Sequence, residues 1–136
     1  MMAHQISWDN PDKTVVLQVY LDSPSKEDFY QLAEKSAAML NSVSHTVHLI
    51  LDERNIKLVL NVADMLFLQK QMPRNQGGLV ILVDHSTIRY KTAVHNLTQQ
   101  LVDGTFDQLY FANSIEEARH ILQQAFGVRY PSISSK

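Results

Sequence analysis

Leu79-Val80-Ile81-Leu82-Val83-Asp84 is an unbroken apolar run closed by an acid. The turn-forming stretch Arg74-Asn75-Gln76-Gly77-Gly78 precedes it. The run is too short for a helix and rich in branched side chains. It therefore reads as a central strand covered on both faces or nearly so. Working outward, Thr46 to Asp52 repeats the pattern upstream, and Leu109 to Ala112 gives a shorter version downstream. Thr14 to Leu21 is a further strand, rich in β-branched and aromatic residues. The short patch Ile6 to Trp8 precedes it across the turn cluster Asp9-Asn10-Pro11-Asp12, which implies an antiparallel hairpin.

Helical rhythm fills the intervals. Ser25 and Asp28 have capping spacing, and Phe29, Leu32, Ala33, Ser36, Ala37 and Leu40 recur on one face up to about Asn41. Residues from about Ile56 to Met72 read as a second helix, stopped by Pro73. Ser86 opens a third, which ends near Gly104. Ser114 and Glu117 form the best capping box of the chain. The helix they open carries Ile115, Ala118, Ile121, Leu122 and Ala125 on one face and stops at Gly127. The order is β-β-α-β-α-β-α-β-α: an α/β fold with a mixed, mostly parallel five-stranded sheet and four helices. Right-handed strand-helix-strand connections make the last four strands parallel. Residues 1–129 form one domain, and 130–136 is a polar tail expected to fray.

The strand faces refine this. Val15, Leu17, Val19 and Leu21 share one side of their strand, with Val16, Gln18 and Tyr20 on the other. In the next strand Val47, Leu49 and Leu51 oppose Thr46, His48 and Ile50. One side is wholly apolar and the other mixed. Helices are thus expected mainly on one face, with the mixed face, carrying Gln18, Tyr20 and His48, partly covered or used for contact.

Bulk properties exclude several classes. The 136 residues are 45% hydrophobic and 19% charged, as in a globular domain. A net charge of −2 gives no footprint for nucleic acid or acidic lipid. The absence of cysteine excludes disulfides, a thiolate zinc site and a cysteine nucleophile. The N-terminus lacks the pattern of a secretory signal, and no stretch approaches the roughly 18 apolar residues of a membrane span. A cytoplasmic location is expected.

No catalytic constellation is complete. Asp22, Asp52 and Asp84 each close a strand at its C-terminal end, the edge where open α/β sheets bind ligands. With Arg54 and Asn55 beside them they make a candidate site for an anion, a small ligand or a divalent cation, Arg54 acting as a bidentate clamp. Each Asp equally serves as a loop or helix cap. The six histidines show no metal-site spacing, so no metal or other cofactor is expected. Gly77-Gly78 leads into a strand and not into the helix that a phosphate cradle needs. Ser86 lacks the flanking glycines of a nucleophile elbow and reads as a cap.

The second helix is unusual. At about 100° per residue, Leu58, Val59, Val62, Met65 and Leu66 share a core-facing arc, and Asn61, Asp64 and Gln71 mark the opposite side. Leu60 and Leu68 fall on or beside that polar side, with Phe67 near them. Apolar residues rimmed by polar ones suggest a partner surface built from Leu60, Asn61, Asp64 and Leu68.

The order of elements resembles the STAS domain, the fold of bacterial anti-sigma-factor antagonists. The part that carries the resemblance best is Val47-His48-Leu49-Ile50-Leu51-Asp52 followed by Ile56 and a helix. In that family a hydrophobic strand ends in Asp or Asn, and a short loop leads to an Asp-Ser-x-Gly turn whose serine is phosphorylated to control partner binding. Here the stretch is Leu60-Asn61-Val62-Ala63, and no Ser or Thr lies between Val47 and Pro73. The resemblance thus implies the fold and a regulatory, protein-binding role without the phosphoserine switch. The expected function is a non-enzymatic interaction or regulatory module that binds a protein partner or, as a homodimer, itself. The alternative is a small-ligand, anion or divalent-metal binding domain at the strand ends.

Overall fold

The structure is a computed structural model describing residues 4–21, 25–54, 62–83 and 109–130, without the side chains at 62, 65, 68 and 69. The strands are β1 (His4–Trp8), β2 (Val15–Tyr20), β3 (Val47–Asp52), β4 (Gln76–Leu82) and β5 (Leu109–Ala112). The helices are α1 (Lys26–Asn41), α2 (Val62–Gln71) and α3 (Ile115–Phe126). Three helices, not four, stand among the described residues; the segment from Ser86 to Gly104, expected to be the other, lies outside them.

The five strands form one sheet in the order β1-β2-β3-β4-β5. β1 and β2 pair antiparallel, and β2 through β5 are parallel, as the alternating pattern requires. β4 starts at Gln76, so the two glycines expected in a turn lie within the strand.

The register decides what the two faces are. Val15 sits opposite His48 and Val16 opposite Leu49. The apolar side of β2 therefore continues into the mixed side of β3, and each face of the sheet is part apolar and part polar. Helices cover both. On one face α1 packs over β1 and β2, burying Val16, Leu49, Phe29, Leu32 and Leu40. On the other α3 lies over β4 and β5, and Ala118 and Leu122 meet Val15, Ile50, Val80 and Leu82. The expectation of helices mainly on one face is corrected by α3.

Local chemistry explains the helix ends. Ser25 caps α1 in a complete capping box: its hydroxyl accepts from the Asp28 amide, and Asp28 accepts from the Ser25 amide. Ser114 caps α3, but the Glu117 carboxylate reaches the Asn113 amide instead of closing the box. Gly127, at φ 69°, ends α3 in the left-handed conformation open to glycine. Ala125, expected on the packed face of α3, is exposed, and Phe126 packs in its place. Among the described residues no helix is long and apolar enough to cross a membrane.

Candidate functional site

The C-terminal ends of β2 and β3 lie beside the N-terminus of α1, and the polar groups there are tightly matched. Arg54 donates from its amide and Nε to Asp52 Oδ1, 3.1 Å in each case, and from Nη2 to Asp52 Oδ2 at 2.8 Å. The expected anion clamp is real in geometry, but it closes on the chain's own carboxylate. Asp28 accepts from His4 Nδ1 at 2.9 Å, while Lys35 Nζ donates to His4 Nε2 at 3.1 Å. That pairing places the imidazole proton on Nδ1. Tyr20 is buried beside this cluster. Burial, and then the Glu53 and Asp28 carboxylates, push its hydroxyl pKa well up, so it stays neutral.

The structure therefore joins Asp52 to Arg54. Asp22, Asn55 and Asp84 lie outside the described residues. Among the described residues no three His, Asp or Glu side chains are grouped to hold a metal ion.

The second candidate surface is α2, and here the helix is turned about its axis relative to the sequence expectation. Asp64, read as outward, is 1% exposed. It accepts from the Tyr30 hydroxyl and pairs with Lys26 Nζ at 2.9 Å. Phe67 follows it inward and meets the Tyr30 ring edge-to-face at 4.5 Å. Leu66, read as part of the core, is instead 44% exposed, flanked by exposed Ala63 and Lys70. The physical reason is that α1 offers a phenol and an ammonium that satisfy a carboxylate better than a lone leucine would be served there. Asp64 and Phe67 lie one turn apart on a single stripe of α2, and it is Tyr30 and Lys26 on α1 that decide that this stripe faces inward. Leu60 and Asn61 lie outside the described residues, and so does the side chain of Leu68 on α2.

The mixed-face contact surface is also corrected. Gln18 and Tyr20 are buried under α1, where Gln18 Nε2 donates to Ser36 Oγ at 3.2 Å. His48 is buried on the opposite face against Phe126. Between α1 and the sheet the small residues Ala33, Ser36 and Ala37 leave a cleft of about 70 Å³, floored by Leu49 and Leu51 and closed by Met72 and Pro73. Ligand pockets are typically several times larger, at about 300 Å³ or more.

Comparison of the chain with protein-family models, with curated proteins and with solved structures finds no match.

Proposed function

We propose that this chain is a non-enzymatic interaction or regulatory module, STAS-like in architecture, that docks a protein partner through the outward face of α2. The observation that carries the reading is Leu66, exposed on a helix whose carboxylate is turned inward. Ala63 lies beside Leu66, and Lys70 follows one turn on. Such a face suits an amphipathic partner helix with an apolar row to cover Leu66 and a carboxylate to meet Lys70. The strand-end chemistry supports the same conclusion, because the Arg54 guanidinium is engaged by Asp52.

The test is differential capture by the wild-type chain and by Leu66→Asp, each shown folded by circular dichroism. A species retained by the first and lost by the second is expected. Identical capture by both overturns the reading. A saturable rise in melting temperature with divalent cations or phosphate would instead favour a ligand site at the strand ends.

A further inference from the structure

Among the described residues, β1 is an edge strand paired only with β2. Exposed edges invite pairing with another strand. Folded proteins usually block it with Lys, Glu or Pro, with bulges, or with very short edges. β1 has none of these guards. His4-Gln5-Ile6-Ser7-Trp8 contains no acid, Lys, Arg or Pro, and all five residues pair with β2 without a register shift. Gln5 and Ser7 project into solvent. α1 lies over the strand on the other face, with Asp28 and Lys35 holding His4 in place. The edge is thus regular along its whole length, and its solvent-facing side chains are uncharged.

We infer that β1 pairs antiparallel with β1 of a second copy of this chain, about a two-fold axis at Ile6, to make one continuous sheet across two protomers. A second copy fits better than an arbitrary strand because an antiparallel contact about a two-fold axis needs only one patch that complements itself. This one does. With Ile6 on the axis, Gln5 stands opposite Ser7 of the partner subunit and can hydrogen-bond to it. His4 stands opposite Trp8 of the partner subunit. No like charges meet, and every outward main-chain group of the strand gains a partner. This contact is independent of the α2 surface.

The test is light scattering across a concentration series. Wild type is expected to approach twice the protomer mass. Gln5→Lys with Ser7→Lys sets like charges opposite each other and is expected to remain a folded monomer. Gln5→Lys with Ser7→Glu sets opposite charges across the axis and is expected to re-associate. Amide exchange on the unsubstituted chain reads the same contact, with β1 amides slow at high concentration and faster on dilution. Wild type at protomer mass throughout, a Lys/Lys variant that stays dimeric, or a Lys/Glu variant that stays monomeric each overturns the inference. The Leu66→Asp variant is expected to keep the wild-type mass, so failure of the α2 reading is seen separately.

Discussion

His48 shows how one buried side chain sets local sequence. Its Nδ1 accepts from the Gly78 amide at 2.8 Å, and its ring stacks on Phe126 with centroids 4.5 Å apart. A Cβ at Gly77 would stand 2.4 Å from His48 Nδ1, and one at Gly78 would meet the Phe126 ring at 2.4 Å. The glycine pair is therefore explained by ring packing and not by a turn. The acceptor role requires Nδ1 to be unprotonated, and burial lowers the pKa of the imidazole. In the unfolded chain the same group takes a proton near pH 6.5. Below that pH the unfolded state binds more protons than the folded one, so stability is present above about pH 6.5 and is lost as pH falls. Urea midpoints measured from pH 7 down to about 5, above the main carboxylate range, are expected to decline. His48→Leu is expected to be less stable throughout but to decline less steeply. Equal slopes for the two chains would show that His48 is not the group responsible.

The α2 helix separates two kinds of position only two residues apart, buried Asp64 and exposed Leu66. Tyr30→Phe removes the hydroxyl that donates to buried Asp64 while keeping the ring that packs on Phe67. The Lys26 contact remains, so the expected loss is about 1–2 kcal/mol. Leu66→Asp, on the exposed side, is expected to change stability by no more than about 0.5 kcal/mol. Chemical denaturation of both variants checks the pair, and a larger cost for Leu66→Asp would mean that the helix faces the other way. Alternation and capping made the elements themselves legible. β5 has the expected bounds, α1 carries its expected cap and stripe, and Gly127 ends α3. Rotation was not legible. It depends on Tyr30 and Lys26, more than thirty positions away from Asp64, and local periodicity carries no term for them. The face assignment failed for a related reason. Which side of β2 continues which side of β3 is a matter of register, and register is invisible in either strand alone.

At the scale of the whole molecule, the turn after β1 and the segment after α3 are locked together. Asp9, whose side chain is 3% exposed, accepts from Arg119 Nη2 and Nε at 2.7 and 3.1 Å and from the Tyr130 hydroxyl at 2.7 Å. Asn10 spans the turn to the Thr14 and Val15 amides and donates to the Arg129 carbonyl at 3.0 Å. Tyr130 was expected to begin a frayed tail. It packs instead against the core beneath α3, its hydroxyl pKa raised by burial and then by Asp9. The turn cluster was legible; its partners, about a hundred residues on, were not. Arg119→Ala leaves the Asp9 carboxylate buried with one donor in place of three. Because the guanidinium is partly solvated and screened, the expected loss is about 1–3 kcal/mol. Tyr130→Phe removes the hydroxyl that donates to Asp9 and keeps the ring that faces the Arg119 guanidinium, for about 1 kcal/mol. Both donors serve one carboxylate, so their effects are coupled, and the double variant is expected to differ from the sum of the singles by at least about 0.5 kcal/mol. A double-mutant cycle by urea denaturation measures this. Strict additivity would mean that Arg119 and Tyr130 act on separate parts of the molecule and that Asp9 does not join the turn after β1 to the segment after α3.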